Sequence, residues 1–463
     1  MTQKKSIIGE LDSVEEFERQ PVPTNKLKSL KNFIGMYAGE HTAGTEFVIG
    51  PLFVAHGVSA LDLLLGLFVG NTLAVLSWTF LTAPIAVKER ITLYFQLEKI
   101  CGKNLVTVYN IVNALMFCFL AGSMIAVSAT AVGIPFDMRM PHLSDTYPNS
   151  ISWVVAVFLI GSVITIIAMY GYNQVSKFAN IAAPWMILVF IAAAVSVFPQ
   201  LGIEQLSDFW PIANEVIWKG IPLEGQSKFT FWHVTFFAWF ANMAMHIGMA
   251  DLSIFRYAKK WQYGLASATG MYLGHFIAWM ASGILYALFL YQSNNSTEFA
   301  PGPIAYNAAG IAGAICVVIA GWTTATPTIY RAGLALQAIV PGSKTWKVTA
   351  FTGLITTVAA CFPGLVMQLL DFVALYGLML MPMGAIIFVD YYFADKFKFT
   401  QYYAQVKGIK FNLSPGLVWV LTLALCLVFN FNFGVDIFFL GLPGWFVAAF
   451  LYVILNKMLQ KNV

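Results

Sequence analysis

Twelve apolar runs, each roughly twenty residues long and separated by short polar segments, leave this chain one solvent to fold in, a lipid bilayer. They lie at about 35–57, 61–86, 105–132, 151–170, 178–199, 230–251, 264–291, 304–330, 347–363, 366–392, 413–433 and 437–456. A soluble chain carries about a quarter charged residues. Here Asp, Glu, Lys and Arg make up 10% of 463 residues, and mean hydropathy is +0.73. The expected fold class is an all-α integral membrane protein with twelve transmembrane helices. Segment 1–31 is polar and lacks the apolar core of a secretory signal, so no cleavage is expected. The five cysteines (Cys101, Cys118, Cys316, Cys361 and Cys426) have neither CxxC nor metal spacing and read as small buried hydrophobes.

The placement of basic residues sets the orientation. Of 26 Lys and Arg, 23 fall before the first span and in every second connection after it, and only Arg139, Lys219 and Lys228 fall on the other side. By the positive-inside rule both termini are expected in the cytoplasm, in a multi-pass protein of the plasma (inner) membrane. One missed span would scramble this asymmetry, so it also supports the count of twelve.

The first span carries Glu46 and a Gly50-Pro51 pair. Proline lacks an N–H and clashes with the preceding turn, so the helix is expected to break there. In a bilayer, freed carbonyls are tolerated where they are buried in protein or line a cavity, and an acid beside them marks a functional site. The sixth span holds Asn242 and Gly248 in an otherwise apolar helix. Interruptions in spans one and six suit a 5+5 inverted repeat with two helices appended. The expected organisation is a cytoplasmic segment 1–34, repeats 35–200 and 230–392 joined by an outer loop 201–229, and a tail 393–463.

Four stretches resemble the nucleobase:cation symporter-1 family, which includes cytosine and hydantoin carriers. They are Asp62 to Asn71 with its Gly-Asn pair; Phe237-Ala-Trp-Phe-Ala-Asn242 followed by Arg256-Tyr257; Gly321-Trp-Thr-Thr-Ala-Thr-Pro-Thr-Ile-Tyr330; and Met381 to Tyr392, ending Asp-Tyr-Tyr. In order, they cover residues 35–395. The resemblance implies a leucine-transporter-like fold, discontinuous helices 1 and 6, and cation-coupled uptake of a nucleobase or related ring. Ser253 stands where the family often has Asp, and Ala325 where cytosine-permease-like members have Asn, so the ring itself is left open.

The site residues follow, each beside its plainer reading. Thr323 and Thr324 either bond back to carbonyls one turn earlier or hold a cation. Their hydroxyls, the Ala320 carbonyl and freed carbonyls around Val48 and Gly50 would form an oxygen shell, and the resemblance makes this the family's ion position, for Na+ or H+. Trp239 and Phe119 are candidate faces of an aromatic sandwich, or core; the resemblance favours Trp239, and Phe119 stands where hydantoin-carrying members have Trp. Ser123 shares a helix face with Phe119. Asn242, which donates and accepts, lies near Trp239, and Thr326 and Tyr330 follow the ion motif. Glu46 is expected to accept from a ring N–H, to carry a proton, or to cap the broken helix. Glu40 and His41 read as interfacial or gating groups, His246 and His275 as contacts between helices, and Asp390 as a gate or structural element.

The expected function is a secondary symporter importing a nucleobase-like heterocycle (cytosine, purine, hydantoin, allantoin or a thiamine precursor). An amino-acid or amine transporter of the same fold, or a non-transporting sensor, are the rivals. An enzyme would need clustered acids or histidines, and the intramembrane carboxylates are few and dispersed. No cofactor is expected; the partners are a small heterocycle and lipid rather than nucleic acid, and the assembly a monomer.

Overall fold

In a computed structural model of the protein, which describes residues 7–136, 138, 141, 145–292, 301–365 and 368–460, the expected runs become helices, with no strand among the described residues. The first run is two helices, α1 (Leu30–His41) and α2 (Glu46–Ala55). Then come α3 (Ala60–Ser77), which continues through a π-turn at Trp78–Thr82, α4 (Lys103–Val132), α5 (Ile151–Met169) and α6 (Gly171–Ser196). The sixth run is again two helices, α7 (Phe231–Phe240) and α8 (Met243–His246). A π-turn at Thr269–Phe276 leads into α9 (Ile277–Gln292). The chain continues through α10 (Pro301–Ile339), bent at Ala309–Gly310, α11 (Thr345–Ala360) and α12 (Leu369–Phe397), and ends in α13 (Leu413–Phe433) and α14 (Ile437–Leu459). Among the described residues, nine helical stretches are long and apolar enough to cross a membrane unbroken. The split runs and the 16-residue α11 complete the expected twelve.

Both breaks exist, but the first is not where proline placed it. Helix α1 ends at Thr42 (φ −102°, ψ 61°), and the chain turns through Ala43–Thr45 before α2 begins. Pro51 is the sixth residue of α2, well inside it. Proline there forfeits only the bond to the Phe47 carbonyl, and the chain absorbs that loss without breaking. At the real break, Thr42 turns its hydroxyl and its amide back onto the Ala38 carbonyl (2.7 and 3.1 Å), capping α1. Gly50 has a packing role instead. A Cβ there would collide with Ser282 Oγ and the Trp279 carbonyl, so glycine lets α2 lie directly on α9. Gly50→Val is expected to push the two apart and cost about 1–3 kcal/mol, read as a drop of several degrees in apparent melting temperature. A variant melting like wild type would show that α2 does not depend on this contact.

The buried centre is the pair α4 and α10. Gly321 makes the approach possible, since a Cβ there would strike Ser128 Oγ and lie 2.5 Å from the Met124 carbonyl. Ser128 uses the same proximity to donate to the Val318 carbonyl (3.1 Å). Helices α13 and α14 are appended beside α12, where the Tyr452 hydroxyl donates to Asp390 (2.8 Å).

The connections gather on two faces. On one, the segment before α1 is tied across the bundle: Arg19 forks onto Glu98 (2.8 and 2.6 Å), Lys28 pairs with Tyr257, and Asp12 takes hydrogen bonds from Lys344 and Trp346. Those two donors hold the Asp12 carboxyl below its usual range. Lys410 closes the same face against Asn104 (2.8 Å). We call this the basic face. On the opposite face, segment 213–229 folds back over the end of α2, with Leu223 and Phe229 amides donating to Ala55 and His56 carbonyls (2.8 and 2.9 Å). Arg139, one of the three basic residues expected there, lies outside the described residues.

Candidate functional site

The two breaks meet at a cavity of about 70 Å³, room for about two waters. Glu40, His41, Thr45 and Glu46 come from the first break, and Ala241, Asn242 and Met245 from the second. Leu120 and Met124 of α4, Thr324 and Thr328 of α10, His275 and Tyr376 complete the walls. Helix ends generate this lining. A terminus leaves backbone groups without intrahelical partners, so polar residues concentrate where two split helices face each other.

Glu46 is the first residue of α2 and is buried, where its carboxylate meets the positive end of the helix dipole. Its side chain accepts from the Trp279 indole N–H and from Thr45 Oγ1 (3.1 Å), and its backbone carbonyl accepts from Ser282 Oγ (2.7 Å). His275 Nε2 lies 3.8 Å from the carboxylate, with its ring stacked on Trp279 at 4.3 Å.

Beside the cavity, Thr324 Oγ1 donates to the Glu40 carbonyl (3.0 Å) and to the Ala320 carbonyl (3.2 Å). Thr323 Oγ1 donates to Ala320 (3.0 Å) and faces Met186 Sδ. The hydroxyls, the Ala320 carbonyl and a carbonyl of the first helix are thus gathered, as an all-oxygen cation site needs. The first-helix carbonyl that meets Thr324 is that of Glu40, at the end of α1, and not one near Val48 or Gly50 as expected, because the break lies at 42–45. Val48 and Gly50 are interior to α2, and Gly50 faces α9, with its carbonyl on the Gly283 side.

Of the residues expected at the substrate, Glu46 and Asn242 line the cavity. The others stand off it. Trp239 donates its indole N–H to Ser77 Oγ (2.9 Å) and stacks on Phe240 at 4.5 Å. Phe119 stacks on Phe372 at 5.7 Å, and Ser123 donates to the Phe119 and Leu365 carbonyls. Their chain neighbours Leu120 and Met124 form the wall instead; one residue is a rotation of about 100° around a helix. Thr326 bonds back to the Trp322 carbonyl (2.6 Å). Tyr330 points to the basic face, where its hydroxyl donates to Glu16 (2.6 Å).

Sequence reasoning missed the ion clusters that separate cavity and basic face. Because α10 runs to Ile339, Arg331 belongs to the helix and is buried, not in a connecting loop. Its guanidinium pairs with both oxygens of Glu40 and with Asp251 Oδ1 (2.7 Å), while Tyr37 and Trp78 donate to Asp251 Oδ2 (2.6 and 2.8 Å). Below it, Glu16 accepts from Tyr257, Tyr330 and Arg256 (2.6, 2.6 and 3.1 Å). The one available signal was an arginine directly after an apolar run that has no polar break before it.

No protein-family model and no curated protein sequence matches the chain. Solved structures do. The chain is similar to Mhp1, a nucleobase-cation-symport-1 family transporter, closed with bromovinylhydantoin bound: TM-score 0.71, 13% identity, 96% of each chain. It is also similar to a Na+-coupled sialic acid symporter in a substrate-bound outward-open state (0.67, 14%, 97% of this chain and 93% of that one). A manganese transporter of Eremococcus coleocola follows (0.55, 11%, 92% and 94%). The protein therefore has the leucine-transporter-like fold of Mhp1, an all-helical architecture built around two interrupted helices.

Proposed function

We propose that the protein is a secondary symporter that carries a small nitrogen heterocycle through the central cavity, coupled to a cation. The observation that carries this reading is the meeting of both helix breaks at one cavity, with Glu46 and Asn242 on its wall and the Thr324–Glu40 contact beside it. Helix breaks of this kind hold substrate and ion in secondary transporters. Thr323, Thr324, Ala320 and the Glu40 carbonyl would hold Na+, a hard ion suited to their oxygens. When bound, the ion supplies charge that ties α1 to α10 and fixes the turn at 42–45. Glu46 and Asn242 then offer an acceptor and an amide to the ring edge. Alternating access would rock the two halves, 35–200 and 230–392, with the basic face cytoplasmic. The fold shared with Mhp1 and with a Na+-coupled symporter supports this reading. Manganese transport fits less well. Among the described residues no group of three or more His, Cys, Asp or Glu is arranged to hold such an ion.

The test is thermal stability of the purified protein against a panel of single-ring and bicyclic heterocycles, in sodium and in choline, followed by uptake into proteoliposomes. A ligand that binds the folded state alone raises apparent stability by mass action. Stabilisation by one ring, larger in sodium and matched by sodium-driven uptake, is expected. Stabilisation by amino acids alone would overturn the heterocycle reading.

A further inference from the structure

We propose that the transported ligand carries a positively charged nitrogen group, an amidinium or protonated amine, and that Glu46 is its counter-ion. This rests on the symporter reading above and narrows its substrate class. Two carboxylates line the cavity, and they differ in one respect. Glu40 is taken up by Arg331, whereas Glu46 receives only neutral donors, the Trp279 indole and the Thr45 hydroxyl. Among the described residues no Lys or Arg side chain lines the cavity. His275 Nε2, at 3.8 Å, is beyond hydrogen-bond distance of Glu46 and would pair with it only as a protonated imidazolium. A buried carboxyl without a close cationic partner pays several kcal/mol to stay ionised and otherwise takes up a proton; a cationic group in the cavity would relieve that cost.

A second acceptor points the same way. His41 is buried, and its Nδ1 lies 2.8 Å from the Tyr37 carbonyl. A carbonyl only accepts, so Nδ1 carries the proton and Nε2 keeps a lone pair. That Nε2 has no partner, in a residue that lines the cavity. A carboxylate and an unpartnered imidazole nitrogen, in residues that line one small cavity, suit a ligand with two or more N–H groups and positive charge, and the unpartnered Asn242 amide N–H suits an acceptor on the same ligand. An amidinium edge supplies the N–H groups and the charge. An anionic ligand would face Glu46 with the coupling cation as its sole counter-charge, which disfavours carboxylate-bearing substrates.

Matched isosteres test this. Acetamidinium and 2-aminoimidazolium are titrated at millimolar concentration against acetamide and 2-imidazolidinone, with the apparent melting temperature of the intact protein as the readout, in sodium and in choline. The cations are expected to raise it in a saturating manner, and the neutral partners not to. In Glu46→Gln the half-saturating concentration is expected to rise at least tenfold, and in Trp279→Phe, which keeps the carboxylate, to stay within a few-fold. If Glu46→Gln does not fold, the wild-type preference for cation over isostere decides. Equal stabilisation by the neutral partners, or none by either cation, overturns the proposal. So does a Glu46-dependent stabilisation by sodium alone, because the metal ion would then be the counter-ion. Sodium-driven uptake of a neutral ring, intact alongside any of these results, would leave the symporter reading standing.

Discussion

Replacing Arg331 with methionine is expected to destabilise the protein by about 3–5 kcal/mol, the cost of breaking a buried ion pair by removing one partner. Here the remainder is worse than one orphan. Among the described residues Arg331 is the one cation shared by Glu40 and Asp251, so its loss leaves two buried carboxylates without a counter-ion. Tyr37 and Trp78 still donate to Asp251, but nothing replaces the fork on Glu40. Glu40→Gln should be milder, because it leaves Arg331 paired with Asp251 and removes the excess negative charge. The double variant Glu40→Gln with Arg331→Met should recover part of the loss, since one of the orphaned charges has gone. These comparisons are read as apparent melting temperatures in one detergent, with monodisperse elution as the check on folding. Arg331→Met melting within a degree or two of wild type would show that the triad does not hold α1 to α10. The same variant should loosen the basic face, because Tyr330, one residue earlier, anchors Glu16 there.

What the sequence disclosed follows from which forces act locally. The twelve runs were legible because lipid demands continuous apolar surface and internally satisfied backbone, and that demand is written in every residue. The loop charges were legible for the same reason. Where the first helix breaks was not. Proline is a strong local signal, but Pro51 needs only one missing bond to be tolerated, whereas the break at 42–45 combines a local cap, Thr42 on Ala38, with a close approach of Gly44 to residues far away in sequence. A Cβ on Gly44 would meet Val127 Cγ1 at 2.7 Å and the Gly321 amide at 3.4 Å, neighbours no local pattern reveals. The face of α4 was missed for a similar reason. Phe119 and Leu120 are equally apolar, and the choice between them depends on where α12 lies. Phe119 is spent on Phe372, and Leu120 is left to the cavity. Arg331 was assigned to a loop because a charged residue normally ends a span. Its partners, Glu40 and Asp251, lie 291 and 80 residues away along the chain.

Substituting both Thr323 and Thr324 with alanine is expected to abolish the sodium-dependent part of ligand stabilisation while leaving the fold intact. In the proposed ion site each hydroxyl would be a charge-assisted partner worth roughly 1.5–3 kcal/mol to a bound cation, so one deletion should weaken sodium about ten- to a hundredfold. Losing both would remove the response over the accessible range. The two threonines are not equivalent. Thr324 also bridges the Glu40 and Ala320 carbonyls, so Thr324→Ala removes a hydroxyl link between α1 and α10, whereas the Thr323 hydroxyl bonds within its own helix and faces Met186. Thr324→Ala is therefore expected to cost more in sodium affinity than Thr323→Ala, and Thr324→Ser, which keeps the hydroxyl, to stay near wild type. Sodium titrations of apparent melting temperature at fixed ionic strength, with choline replacing sodium, give the midpoints. If Thr324→Ala and Thr324→Ser shift the midpoint equally, the hydroxyl is not a ligand and the threonine serves only to pack α10 against α1. An unchanged midpoint in the double variant would place the coupling ion elsewhere, and Glu46, the cavity carboxylate not paired with an arginine, would become the group to examine.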